Sequence, residues 1–226
     1  MAIAYISSGS VTTPSGSAAS VIVPVPAGTL DNHGMILGVT YRSTTASINT
    51  PAGWTLTGCL QNSLVAMTVG VWSRIASSEP ANYTVTVTAC ANITAQIVTY
   101  SGTNTTVACL INAIGFQQNA SSASIVAPSI TTNVNGAQIV GIYSVAGAVS
   151  VLQPPGTTER SDAQSGAAGG NAAQEISDEN QATNGATGTR TACATANYNA
   201  GTLLALAPVA SGLVLRSYLR PTGIIY

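Results

Sequence analysis

The sequence contains no lysine and very little charge of either sign. Asp, Glu, Lys and Arg together make up 6% of its 226 residues, whereas an ordinary soluble domain has about 25%. No charged residue occurs between Glu79 and Glu159. The missing lysine excludes a P-loop and Schiff-base chemistry, and the lack of basic patches argues against nucleic acid as a partner.

Groups that carry catalysis are equally scarce. His33 is the only histidine and lies in the turn sequence Asp31-Asn-His-Gly34. A catalytic nucleophile that is activated by histidine would have to use His33 as its base, and a turn residue is poorly suited to that role. We therefore interpret His33 as a turn residue. The sequence predicts a non-enzymatic protein with no catalytic residues, no bound metal and no cofactor.

The chain has four cysteines and no CxxC motif, and no histidine stands at zinc-ligand spacing from them. The interpretation that we favour is that they are small buried hydrophobic residues, although an even number also permits two disulfides. The cysteines are Cys59, Cys90, Cys109 and Cys193.

Membrane and secretion signals are also missing. No apolar run approaches the roughly 18 residues of a membrane helix, and the N-terminus lacks the basic region of a secretion signal. These observations predict assembly in a cytoplasm and no membrane partner.

What the sequence does contain is period-two alternation, which is typical of half-buried strands. Residues 83–89 read Tyr-Thr-Val-Thr-Val-Thr-Ala, with the apolar residues and the threonines on opposite faces. We predict an all-β fold, a jelly-roll-like antiparallel β-sandwich, with one weak helical candidate at 172–179. Further strands are predicted at 35–41, 64–75, 93–100, 138–145, 187–195 and 203–207.

The chain also repeats itself at an offset of about 103 residues. Pro51-Ala-Gly-Trp-Thr55 is matched by Pro154-Pro-Gly-Thr-Thr158, and Cys90 and Cys193 lie in matching Thr-Ala-Cys-Ala segments. This predicts a β-sandwich over 1–210 with equivalent halves 1–105 and 106–210. The halves either interleave in one sandwich or form two packed sandwiches.

Residues 211–226 have a different character, because they combine arginine and tyrosine with a strongly apolar end. Such a segment is either the last core strand or an extended arm that lies on a neighbour, because contiguous apolar residues are poorly tolerated when exposed. We favour the arm. Its predicted apolar anchors are Leu213, Leu215, Tyr218, Ile224, Ile225 and Tyr226, and Arg216 and Arg220 are expected to pair with carboxylates of the partner.

Two other groups merit an interpretation. Five of the seven acids lie between Glu159 and Glu179; their oxygens can in principle bind calcium, but we favour a solvated face with local Arg–carboxylate pairing. Of the two tryptophans, Trp72 lies in an alternating run and is expected in the core. Trp54 follows a turn and is either a packing residue or a stacking platform for carbohydrate.

Several short segments resemble β-sandwich structural proteins of tailed-bacteriophage virions. They include Pro51-Ala-Gly-Trp-Thr-Leu56, Val71-Trp-Ser-Arg-Ile-Ala76 and Glu79-Pro-Ala-Asn-Tyr-Thr84, and the resemblance covers roughly residues 17–208. It implies a virion protein, either a capsid decoration (cement) protein or a tail or fibre module.

From the resemblance and the arm we expect a capsid decoration protein that binds the major capsid protein and stabilises the outer shell, as a homotrimer located in the virion. The alternative is a tail, neck or fibre component with a receptor- or carbohydrate-binding surface that uses Trp54.

Overall fold

The computed structural model describes residues 2–10, 17–43, 45–166 and 171–210. The regular secondary structure of these residues is β-strand except for one short helix. The elements are β1 (Ala4–Ser10), β2 (Ala18–Pro24), β3 (Gly34–Tyr41), β4 (Ile48–Asn49), β5 (Thr55–Asn62), β6 (Met67–Ile75), β7 (Asn82–Ala91), β8 (Ile93–Ser101), α1 (Val107–Leu110), β9 (Ile111–Ala127), β10 (Thr131–Thr132), β11 (Ala137–Val145), β12 (Thr158–Gln164), β13 (Ala173–Gln181), β14 (Gly185–Ala186) and β15 (Arg190–Leu206).

The strands form two large antiparallel sheets. The first has the order β1-β8-β3-β6-β5 and the second the order β12-β13-β11-β15-β9. A small sheet, β2-β7-β4, packs on the first large sheet, and a two-stranded sheet, β10-β14, belongs to the second part of the chain. The prediction of an all-β antiparallel sandwich is therefore confirmed. The jelly-roll detail stays a prediction, which the pairing of β1 with β8 and of β2 with β7 favours.

The two large sheets do not interleave in sequence, and their strand orders correspond. The order β1-β8-β3-β6-β5 corresponds to the second order when that one is counted from β9, as β9-β15-β11-β13-β12. The central strands are then β3 and β11. The turn before the last strand in each order also recurs: Gly53 and Gly156 have φ of 78° and 88°. In these turns Pro51 and Pro154 accept N–H bonds from the residues three positions on, at 3.1 and 3.2 Å. We call residues 2–105 the first half and 106–210 the second half.

The main apolar clusters of the described residues form three layers, and one of these layers joins the two halves. Leu37 and Trp72 belong to the core between the sheets of the first half, and Tyr143 and Leu203 to the core of the second half. A third layer lies between the two large sheets and includes Ile36, Val98, Ile142 and Leu204. Because strands β3 and β11 are buried on both faces, their sequences are nearly continuous apolar runs rather than alternating ones.

The contact between the halves is reciprocal. Strand β1 lies against β12, and β5 lies against β9; these are the first and last strands of the two corresponding orders. Each half thus presents the same face of its large sheet to the other, which is the arrangement of an isologous two-fold dimer inside one chain.

The second half closes its own core with a bent ribbon. Strands β9 and β15 are each 17 residues long, and their register shifts between Cys193 and Asn199. The Asn199 amide donates to the carbonyls of Ser122 and Ser124, at 3.1 and 3.3 Å. These bonds fix the bend, so the distal parts of the two strands fold back over the second large sheet.

The helical candidate at 172–179 was wrong, because these residues form strand β13. Residues Ala173–Asp178 are buried on both faces of the sheet, so the tertiary packing overrides a weak local pattern. On β7 the predicted alternation holds for Val85 and Val87, which are buried, whereas Ala89 is exposed.

Candidate functional site

A polar pocket of about 450 Å³ opens where the two halves meet. We call it the seam pocket. Strand β1 contributes Ala4 and Tyr5, and strands β11, β12 and β13 contribute the other walls. Their main polar side chains are Gln138, Thr158, Arg160, Asp178 and Asn180.

An ion pair with two tyrosines forms the base of the seam pocket. Arg160 Nη2 lies 2.9 Å from Oδ1 of Asp178, and the Tyr100 hydroxyl donates to Oδ2 of the same carboxylate at 2.8 Å. The Arg160 guanidinium also lies over the ring of Tyr5, 4.2 Å from its centroid. Tyr5 and Tyr100 come from the first half, so the cluster exists only when the halves are packed.

Burial and charge set the protonation states of this cluster. Burial, and then the charge and hydrogen bond of Asp178, raise the pKa of Tyr100 well above its usual value. Burial opposes the charge of Arg160, but the hydrogen bond and charge of Asp178 outweigh it and raise the pKa of the guanidinium. Tyr100 therefore stays a hydrogen-bond donor and the Arg160 guanidinium stays charged at neutral pH.

A second polar groove of about 460 Å³ adjoins the seam pocket and shares Glu179 and Asn180 with it. Arg190 Nε donates to Oε1 of Glu179 at 2.6 Å. Each arginine in the two sites is thus paired with a carboxylate, and the other polar side chains of the lining carry amides and hydroxyls. This chemistry suits a neutral polar ligand better than an ion.

The arginines in the described part of the chain are all used inside it. Arg74 donates to Glu79 at 2.8 Å and to the Gly53 carbonyl at 2.8 Å. Arg42 donates to the carbonyls of Ala66 and Asn171, at 2.9 and 3.1 Å. With Arg160 and Arg190 paired as above, this part of the surface offers no uncommitted cation to a partner.

The predicted acidic region is only partly as expected. Its Arg–carboxylate pairing is present, in Arg160–Asp178 and Arg190–Glu179. The solvated face is wrong for Asp178 and Glu175, which are buried in β13. Burial raises the pKa of Glu175 to about 9, and the charges of Glu159 and Asp162 add to this rise.

Trp54 is not a sugar platform. Only 5% of the residue is exposed, and its ring packs edge-on against Tyr83, with centroids 5.3 Å apart, in the core of the first half. Stacking on a sugar requires an exposed ring face, which Trp54 does not have. Trp72 is in the same core, as predicted, and its indole N–H donates to Thr50 at 3.2 Å.

The interpretation of the cysteines as buried hydrophobic residues was wrong for Cys59, Cys109 and Cys193, which are exposed free thiols. Cys59 and Cys193 lie on strands β5 and β15, whereas Cys109 lies in helix α1. His33 does lie in a turn: its Nδ1 accepts the Leu30 backbone N–H at 3.1 Å, and the His33 backbone N–H donates to the Leu30 carbonyl at 3.2 Å.

The predicted partner interface lies outside the described residues, because Leu213, Leu215, Arg216, Tyr218, Arg220, Ile224, Ile225 and Tyr226 all belong to 211–226. The described chain ends at Ala210, on the wall of a groove of about 640 Å³. Asn104, Cys109, Asn112 and Asn133 line the same groove.

Sequence reasoning missed Tyr5, Tyr100 and Gln138 as site residues. Arg160 and Asp178 are conspicuous in the sequence because charge is rare in this chain, but no local pattern connects them to β1 or β8. The packing of the two halves brings these residues together. Tyr100 and Asp178, for example, are 78 residues apart in the sequence.

Comparison of the chain with protein-family models, with curated proteins and with solved structures gave no match. Among the helices of the described residues, none has the length and apolar character needed to cross a membrane.

Proposed function

We propose that this protein is a non-enzymatic structural subunit of a tailed-bacteriophage virion, namely a capsid decoration protein. In this role it binds the major capsid protein as a homotrimer on the outer shell. The contact that anchors it is made by the C-terminal segment, residues 211–226.

The observation that carries the proposal is the distribution of charge. The four arginines of the described body are committed to internal partners. The two others, Arg216 and Arg220, belong to the C-terminal segment, together with its apolar anchors. The C-terminal segment therefore combines arginines and apolar side chains that can together bind a partner.

The body suits a subunit that is surrounded by neighbours. Its surface is polar through hydroxyls and amides, and little net charge keeps copies apart. Apolar area buried on a shell contributes roughly 25 cal/mol per Å². Many symmetric copies make even modest single contacts persistent.

The test is incorporation into particles. The full chain and a variant that ends at Ala210 are each co-expressed with the major capsid protein of the same virus, and purified shells are assayed for bound protein. We expect the full chain to be present in hundreds of copies per shell and the shortened chain to be absent. Circular dichroism of the shortened chain establishes that its β-fold is intact.

A matched variant separates charge from length. Arg216→Glu with Arg220→Glu retains every apolar anchor and is expected to lower shell occupancy strongly at physiological salt. Full occupancy of the shortened chain contradicts the C-terminal anchor, and a copy number of a few to tens per particle contradicts the decoration role.

A tail, neck or fibre component that binds carbohydrate is the second candidate. The seam pocket favours it, because its amides, hydroxyls and neutralised ion pair suit a neutral sugar. Asn180→Ala is expected to abolish binding on a glycan array if this candidate is right. Two results together would favour the second function over the first. Asn180→Ala would lose glycan binding, and the shortened chain would still attach to particles normally.

A further inference from the structure

Four side chains that carry oxygen atoms lie on one face of the second large sheet. Asp162, Glu175 and Tyr143 lie directly opposite one another on β12, β13 and β11. Ser177 follows Glu175 on the same face, two residues along β13. Side chains in directly opposed positions have Cβ atoms about 4.5–5.5 Å apart, so the carboxyl groups of Asp162 and Glu175 are close neighbours.

These oxygens lack partners although they are buried. Glu175 is 0% exposed, and neither of its carboxyl oxygens accepts a hydrogen bond. The hydroxyls of Tyr143 and Ser177, which are also fully buried, are without partners as well. A buried polar group without a partner costs about 1–3 kcal/mol, and a charged one costs more.

The half-buried rim of the cluster shows the same deficit. The Asp162 carboxylate accepts the backbone N–H groups of Val151 and Ala163, but its Oδ1 has no partner. Gln153, in the loop after Val151, has a buried carbonyl oxygen that is also without a donor. Arg190, whose charge acts on Tyr143, is held by Glu179 instead.

We propose that this cluster is a binding site for a hard divalent cation of the size of calcium. Asp162 and Glu175 supply the charged ligands, and Gln153, Ser177 and Tyr143 supply neutral oxygens. We call it the β12–β13 cation site.

The donor set fits calcium for two reasons. Calcium takes six to eight oxygen ligands, which include carboxylates, amide carbonyls and waters, in flexible geometry. Two carboxylates balance its charge, so the buried Glu175 gains the counter-ion that the protein itself does not provide. No group of three or more acids, histidines or cysteines that could hold a metal occurs in the described residues, so the site depends on its neutral oxygens.

The site belongs to the second half alone. The equivalent strand of the first half, β6, reads Met-Thr-Val-Gly-Val-Trp-Ser-Arg-Ile and contains no acid. There the ring of Trp72 lies over Gly70 and fills the core with apolar atoms. The first half is thus an internal example of the same sandwich without the cation site.

The test is thermal unfolding of the full chain, stripped with a chelator and then titrated with calcium chloride alone at constant ionic strength. At about 100 times the dissociation constant we expect the Tm to rise by about 5–10 °C, and calorimetric titration to give one site per chain. Magnesium at the same concentrations is expected to give a smaller shift, because it demands octahedral geometry.

Glu175→Gln removes the carboxylate that would bind calcium, at nearly constant shape, and is expected to abolish the calcium-dependent rise. Asp162→Asn, at the half-buried rim, keeps the core intact and is expected to weaken calcium binding at least 10-fold. Asp31→Asn, a carboxylate outside the cluster, serves as the control and is expected to keep the full response.

The proposal is overturned if the stripped wild-type chain shows no calcium-dependent rise in Tm, or if Glu175→Gln retains the rise. In either case Glu175 is a protonated carboxyl in the core rather than a ligand. A rise that persists in both Glu175→Gln and Asp162→Asn places any calcium site elsewhere and overturns the proposal equally.

Discussion

Tyr100 and Asp178 join the two halves through a hydrogen bond of 2.8 Å, from the tyrosine hydroxyl to a carboxylate that is almost completely buried. Because Arg160 occupies the other oxygen of Asp178, the three side chains form a polar link across an otherwise apolar layer. A buried polar link of this kind fixes the relative position of the two sheets only when each member has its partner.

Tyr100→Phe removes the donor and leaves the ring in place. One oxygen of the buried Asp178 then loses its hydrogen bond, so we expect the free energy of unfolding to fall by about 1–3 kcal/mol, measured by urea denaturation. Tyr5→Phe is the matched control, because the Tyr5 ring packs on Tyr100 and Arg160. A change of similar size in Tyr5→Phe would contradict the role assigned to the Tyr100 hydroxyl.

Arg160→Met is expected to be more damaging than Tyr100→Phe, since it leaves a buried carboxylate without its cation. The expected loss in the free energy of unfolding is about 3–5 kcal/mol. Adding Asp178→Asn removes the uncompensated charge and is expected to recover part of this loss. The double-mutant cycle measures the coupling directly, and a coupling near zero would show that solvent screens the pair.

Gly201→Ala tests the fold-back of the β9–β15 ribbon. A Cβ at Gly201 would lie 2.4 Å from the Val126 carbonyl oxygen and 2.6 Å from the Ala127 nitrogen, and backbone cannot yield as a side chain can. We expect a loss of at least about 3 kcal/mol in the free energy of unfolding. Gly136→Ala, where nothing lies within 4 Å and φ is 71°, is expected to cost only about 1 kcal/mol of backbone strain.

The tryptophan fluorescence tests the burial of both indoles. Trp54 and Trp72 are 5% and 3% exposed, so the native emission maximum is expected at shorter wavelength than that of the unfolded chain. Acrylamide is expected to quench the native protein weakly. Sugars that bind the protein are expected to leave the emission unchanged; a sugar-dependent shift would return Trp54 to consideration as a contact.

The thiols provide a simple chemical test. Cys59, Cys109 and Cys193 are exposed and unpaired, so all three are expected to react with a thiol reagent in native buffer without a reductant. Mass spectrometry of the labelled peptides identifies the sites. Protection of any of the three in the native chain, with release by a reductant alone, would indicate a disulfide instead.

The sequence by itself determined the fold class. Period-two alternation, as in β7, and turn residues between the alternating runs are local properties, and they are sufficient to indicate strands and an all-β architecture. The same local reasoning placed Trp72 in the core and His33 in a turn. Both depend on neighbours only a few residues away.

Local reasoning failed where burial on both faces of a strand hides the alternation. Glu175 and Asp178 of strand β13 are buried. The local sequence there combines acidic residues with alanines, and by itself it suggests a helix or a solvated face. The exposure of Cys193 on β15 and the burial of Trp54 just before β5 also depend on residues distant in sequence, because the sheet that packs against an element decides which of its side chains are covered.

The composition fixed the scarcity of charge, and the tertiary structure decided how the few charges are used. Arg160, Asp178, Tyr5 and Tyr100 come from both halves of the chain and meet only because the two large sheets pack face to face. Glu175 and Asp162 become neighbours through the register of β12 against β13. Register and packing are set by contacts distant in sequence, so these sites follow from the folded chain and not from any motif.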